Sequence, residues 1–204
     1  MNQPNPDALR IAESARTIAL QMLSERGRGA VLVGAARVDA ALEVLLKAAL
    51  VPPSRTETLL AVDRPLGSFG ARIALAQRLG LLDASVEQAL HTLRKVRNAF
   101  AHSTAVASLN EPSHQQRLAD SYQQAEANPL WAPLKRILEE QAALKSDGSQ
   151  QHGLDPDLLD YILLITILVA FLEAAAQQVR PLPPAVVMGF AGIQSSRIDN
   201  DERT

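Results

Sequence analysis

YILLITILVAFL, residues 161–172, is an unbroken run of uncharged, almost wholly apolar side chains within a chain of 204 residues. Asp157, Asp160 and Glu173 flank it. The charge-free run is shorter than the roughly 20 residues that a bilayer crossing needs. It is therefore read as the central helix of a protein core. Apolar residues make up 47% of the chain but aromatics only 3%, so that core must be built mainly of Leu, Ala, Val and Ile. Such side chains suit helices packed at close range better than a β-sandwich.

Working outward, apolar residues recur at three- and four-residue steps, the helical period. Leu9, Ala12, Ala15, Ile18, Ala19 and Met22 mark a helix over about 6–26. Val31, Ala35, Val38, Leu42, Leu45 and Ala49 mark another over about 30–50, closed by Pro52 and Pro53. In DRPLGSFGARIALAQRLG (63–80), Pro65 and Gly67 signal a turn, Ser68 an N-cap and Gly80 a C-terminal cap. A fourth helix starts near Ser85, which forms a capping-box pattern with Gln88, and runs to Ala101 or His102. Weaker periodicity predicts helices at about 114–127 and 130–145, and the helix of the central run covers about 156–179. SDGSQQHG (146–153) reads as a linker, and PLPP (181–184) ends the helical part. No internal repeat and no strand is expected. The predicted fold is an all-α, antiparallel helical bundle occupying residues 1–180, with 104–155 as a divergent insert and 181–204 as a short flexible tail.

The net charge of −2 offers no basic face of the kind that duplex DNA binding through many phosphates requires. The chain has no cysteine, which excludes disulfides, thiolate metal sites and a cysteine nucleophile, and fits a cytoplasmic setting. The first residues lack the pattern of a secretory signal. No cofactor motif is expected: PLGSFG lacks the lysine and spacing of a phosphate-binding loop. No metal site is expected either.

One segment carries chemistry. RKVRNAFAHS (94–103) places Arg97, Asn98 and His102 among apolar neighbours. Asn98 and His102 are four residues apart and share a helix face. Arg97 and His102 are five apart, about 140° round a regular helix. Their tips converge only if the helix unwinds near His102 or a second copy supplies one of them. Two readings follow. In the structural one, Arg97 pairs with Asp39, or with Glu43 one turn on, Asn98 bridges helices, and His102 caps the C-terminal carbonyls. In the chemical one, His102 moves a proton and Arg97 stabilises charge on phosphorus during RNA cleavage without a metal. Lys47 is the expected salt-bridge partner of the Asp39/Glu43 pair. Asp39, Glu43, Arg72 and Arg97 are the candidate structural or partner contacts. His114 and His152 are expected to face solvent from loops, Trp131 to anchor the core, and the Arg26–Arg28 pair to be a solvated helix end.

GAVLVGAARVDAALEVLLKAAL, DRPLGSFGARIALAQRLGLL and LRKVRNAFAHS, in that order, resemble the mannitol operon repressor family. The resemblance covers about 29–103, and the helix at 156–179 resembles the family's C-terminal helix. It implies an all-helical cytoplasmic protein, a homodimer, that represses sugar-alcohol uptake genes and lacks a helix-turn-helix; the mild acidity agrees, favouring repression through a protein partner such as a DNA-binding regulator over direct base reading. RNAFAH also resembles the R-x4-H motif of the wider HEPN superfamily. That resemblance implies a metal-independent RNase site at a dimer interface, with Arg97 as the motif arginine, Asn98 the polar residue after it and His102 the motif histidine. RNA is a partner only on this alternative, and no membrane is expected.

Overall fold

The computed structural model describes residues 6–25, 27–53, 59–103, 107–145, 155–181, 186–190 and 192–195. Seven helices are present among them: α1 (Pro6–Met22), α2 (Gly27–Ala49), α3 (Phe69–Arg78), α4 (Ala84–His102), α5 (Pro112–Glu126), α6 (Trp131–Lys145) and α7 (Pro156–Gln178). The architecture is the all-α bundle that periodicity predicts. The expected linker at 146–153, the final residues of the tail, His152 and Arg26 lie outside the described residues.

The bundle is organised round α7. It is long and apolar enough to cross a bilayer, yet its apolar surface is mostly buried within the protein. Tyr161 through Ala170 are all buried. A helix apolar on every side must be surrounded, and α2, α1, α5 and α6 pack against it, α2 most extensively. Each large aliphatic side chain so buried contributes about 1.5–3 kcal/mol relative to exposure.

The α2–α7 contact depends on a missing side chain. A Cβ at Gly34 would lie 3.0 Å from both Ile165 Cγ1 and Tyr161 Cε1, so glycine sets how closely the two helices approach. Beside it the Tyr161 hydroxyl donates to the Val31 carbonyl at 3.0 Å. Burial holds that phenol well above its ordinary titration range, so it stays a neutral donor.

Helix ends differ in detail from the sequence expectation. α1 stops at Met22, and Leu9 on its first turns is exposed while Ala15, Ile18, Ala19 and Met22 are buried. The cap of α4 is Asp83, not Ser85: Asp83 Oδ1 accepts from Val86 N at 2.8 Å and from Ser85 Oγ at 2.7 Å. A carboxylate complements the positive end of the helix better than a hydroxyl does, and Ser85 assists it. Ser68 caps α3 as expected, accepting from Ala71 N at 3.2 Å.

The segment 104–155 carries two full helices, α5 and α6, packed on the bundle, with Trp131, Leu134 and Leu138 buried. The tail also corrects the expectation that no strand is present. Val186–Gly189 (β1) and Gly192–Ser195 (β2) pair as an antiparallel hairpin, with Gly189 opposite Gly192. β-branched residues on either side of a glycine-flanked turn favour that pairing.

Candidate functional site

Two arginines decide what the conspicuous polar residues are for. Arg72 stands on the second turn of α3 and is only 5% exposed. Its Nη1 meets Asp39 Oδ1 at 2.7 Å and its Nη2 meets Glu43 Oε2 at 2.6 Å. Asp39 and Glu43 are one turn apart on α2, so their carboxylates form a single acceptor pair facing α3. The other donors hold the preceding loop: Nη2 donates to Leu60 O at 2.8 Å and Nε to Leu66 O at 3.3 Å. Lys47 closes the row, 2.6 Å from Glu43 Oε1, the partner the sequence predicts. A planar fork of donors is suited to serving several acceptors at once.

The loop itself is tightly wound. Leu66 N donates to Leu59 O at 3.2 Å and Gly67 N to Arg64 O at 2.8 Å. A Cβ at Gly67 would run into the carbonyls of Ala61 and Val62, 2.6 Å from the latter oxygen. The DRPLGSF segment is thus a structural clasp, closed by Arg72 onto α2.

Asp39 is therefore not the partner of Arg97, contrary to the structural reading of the sequence. Arg97 is exposed, and its Nη1 donates to Asn98 Oδ1 at 3.0 Å. Ala89, Leu90, Leu93, Val96 and Phe100 form the buried stripe of α4, and Arg97 follows Val96 out of it toward solvent. Asn98 is half-buried and His102 is exposed. Among the described residues no hydrogen bond or ion pair engages His102.

Nor does His102 cap the helix. Arg28, at the start of α2, donates to Ala101 O at 2.8 Å and Ser103 O at 3.2 Å. Arg28 is thus a clamp between α2 and α4 rather than a solvated helix end. Because α4 is regular through His102, with Ser103 N bonded to Ala99 O at 3.0 Å, no unwinding brings Arg97 and His102 together. Within one chain they point to different sides, as the five-residue spacing requires.

The surrounding face is basic. From Gln88 to Asn110 the chain has no acid but contains Arg94, Lys95 and Arg97. Arg94 lies over the first turn of α3, its stem in contact range of Gly70, with a buried Nε that no acceptor meets among the described residues. His91 is 3.8 Å from Glu87 on the preceding turn. Past Glu87, α4 itself carries cationic donors and no carboxylate, while Glu111, 3.7 Å from His114, stands at the start of α5 beneath the C-terminal end of α4.

His114 was missed by sequence reasoning, which placed it in a solvent-facing loop. It lies on α5 and is buried, its ring 5.0 Å from that of Phe100. It packs α5 beneath the same end of α4. The only sequence signal was its i+4 relation to Leu118, another buried residue of α5. Tyr122, also on α5, has a buried hydroxyl held above its ordinary range, first by burial, then by the neighbouring Tyr161 and by the carboxylates of Asp160, Asp157 and Asp155.

A cleft of about 400 Å³ lies elsewhere, between α2, the start of α4, α5 and α7. It is lined largely by Leu45, Val86, Leu168, Phe171 and Leu172, with Ser85, Ser121 and Gln124 at its polar margin. None of the motif residues reaches it. Among the described residues no three His, Asp or Glu side chains are grouped to hold a metal ion. No family model, curated protein or solved structure matches the chain.

Proposed function

We propose that the chain is a regulatory, protein-binding helical module of the mannitol-repressor type, working as a homodimer and acting through a protein partner such as a DNA-binding regulator. One observation carries the reading: Arg97 and His102 stand on the surface of α4 and, among the described residues, make no bond to another helix, while Arg72 and Arg28 do the internal work. Exposed cations on a rigid helix suit recognition of an acidic or carbonyl-rich protein surface. The net charge of −2 argues against a broad duplex-binding face. The test is repression of a reporter in cells. Arg97→Glu should abolish it while protein level and melting temperature are unchanged. Tight, sequence-specific operator binding by the purified protein alone, at physiological salt, would sink the proposal.

The exposure of both Arg97 and His102 also favours a second reading, a metal-independent endoribonuclease of the HEPN type. On that reading His102 of one copy and Arg97 of the other face a shared phosphodiester. Histidine transfers the proton and arginine steadies the charge on phosphorus. The purified protein should then cut single-stranded RNA in EDTA, and His102→Ala should lose the activity with its fold intact. No cleavage at high protein concentration would remove this reading.

A further inference from the structure

The cleft between α2, the start of α4, α5 and α7 has two unlike walls. On α7, Leu164, Leu168, Phe171 and Ala175 follow one another at three- and four-residue steps, so one apolar stripe about 16 Å long faces the space. Phe171 on that stripe is 44% exposed, a large aromatic left partly in water. On α5, Ser121 and Gln124 are three residues apart and face the same space. The volume of about 400 Å³ is within the range of about 300–1,000 Å³ typical of small-molecule pockets. Ser121 distinguishes the cleft from a gap in packing. It is only 4% exposed, yet its hydroxyl makes no hydrogen bond among the described residues. A helical hydroxyl can turn back to the carbonyl one turn earlier, as Thr17 does to Glu13 O at 3.0 Å. Ser121 does not. A buried polar group without a partner is costly, and this one borders a space large enough to hold a guest that supplies the partner.

The remaining polar groups select the charge of the guest. Asp83 is the one charged side chain on the lining, and among the described residues no Lys, Arg or His joins it there. The bonds it accepts from Val86 N and Ser85 Oγ both fall on Oδ1, which leaves Oδ2 for a ligand. Ser85 has given its proton to Asp83, so its oxygen can only accept a further bond. α5 ends beside the cleft, at Ala125 and Asn128, with no basic residue in its last turn. The partial negative charge of its last carbonyls therefore adds to that of Asp83. An ammonium group brings three donors and no acceptor to such a site. A carboxylate head would meet Asp83 and no cation. We propose that the cleft binds an amphiphilic primary amine, with its ammonium toward Asp83, Ser121 and Gln124 and its alkyl body along the α7 stripe. Arg97 and His102 take no part in the lining, so this site stands or falls independently of the regulatory reading.

Calorimetric titration of the full-length protein with octylammonium, octanol and octanoate, three heads on one chain, separates the head from the body. Octylammonium should saturate at about one per chain and bind about ten-fold tighter than octanol, with octanoate the weakest. Asp83→Asn keeps a good helix cap and removes the charge. It should weaken octylammonium about five-fold and leave octanol unchanged. Ser121→Ala should weaken both ligands about five-fold without lowering Tm, because that hydroxyl bonds to nothing else in the fold. Octanol binding as tightly as octylammonium, or octanoate binding tightest, would overturn the proposal. So would uptake of many ligands per chain without saturation, which is how a detergent coats any apolar surface. Full affinity in both variants would place the ligand elsewhere, and a lowered Tm with unchanged affinity in Ser121→Ala would make that serine a structural residue; either result removes the site.

Discussion

Arg72 and Arg97 are the same side chain on neighbouring helices, and the protein uses them in opposite ways. Arg72 is buried, with each of its three guanidinium nitrogens engaged by a carboxylate or a loop carbonyl. Arg97 is exposed, and among the described residues its one hydrogen bond is to the amide beside it. The difference lies in the neighbours. α2 presents Asp39 and Glu43 one turn apart toward α3, whereas among the described residues no carboxylate pairs with Arg97. A buried cation is tolerated only where its partners are already in place. A cation left outside that arrangement is available to meet another molecule.

The sharpest way to break this comparison is to remove Arg72. Arg72→Ala takes the guanidinium from Asp39, Glu43 and two loop carbonyls, leaving Glu43 only Lys47, and opens a gap between α2, α3 and the 59–68 loop. The expected loss is about 3 kcal/mol, at the lower end of values for breaking a buried pair because Asp39 and Glu43 keep partial contact with water. Urea unfolding measures it. A loss below about 1 kcal/mol would mean that the clasp is held by packing alone. Gly67→Ala tests the same clasp from the backbone side. The added methyl meets carbonyl groups rather than a movable side chain, so the loop must shift, at about 2 kcal/mol. In that variant the Arg72 contacts to Leu60 and Leu66 should loosen, seen as faster amide exchange through residues 59–67.

The next effect is smaller and separates the end of α4 from its face. Asp83→Ala removes the N-cap and should cost about 1 kcal/mol at neutral pH. Hydrogen bonds, first from the Val86 backbone and then from the Ser85 hydroxyl, hold the Asp83 carboxyl below its ordinary value of 3.8. A depressed folded-state value stabilises the protein above the unfolded carboxylate's titration and is lost as pH falls through the folded one. The stability gap between wild type and Asp83→Ala should therefore be constant from pH 7 to about pH 5 and shrink below pH 4. A gap that widens in acid would show that the carboxylate is not the cap.

How much of this was legible beforehand follows from the range of each interaction. Helix positions, the cap at Ser68, the Glu43–Lys47 pair and the central place of α7 all depend on spacing of three or four residues, which a sequence displays directly. Which arginine pairs with Asp39 does not. Asp39 is 33 residues from Arg72 and further still from Arg97. Which arginine reaches it depends on how α3 lies across α2, and no local pattern encodes that. Arg28 was misread for the same reason, since its acceptors at Ala101 and Ser103 are more than 70 residues away. His114 was misread because its burial comes from Phe100 on another helix. The five-residue step from Arg97 to His102 was informative throughout, because helix geometry alone keeps the two apart within one chain.

The smallest stability effect carries the most functional weight. Arg97→Ala and His102→Ala each remove an exposed side chain that, among the described residues, makes no bond to another element of the bundle, so each should change unfolding free energy by no more than about 0.5 kcal/mol. Arg97→Ala frees the Asn98 side chain, which is half-buried and can turn to water, so no buried group loses its only partner. The pair is thus the inverse of Arg72→Ala: little stability at stake, and any loss of activity attributable to the surface itself. If both variants fold like the wild type and repression fails, Arg97 and His102 contact a partner. If RNA cleavage fails instead, and mixing the two single variants restores part of it, the two side chains meet across a dimer seam, because a mixed dimer regains one site with both residues. A loss above about 2 kcal/mol from either substitution would show that the α4 face is held within the fold after all, and the contrast with Arg72 would collapse.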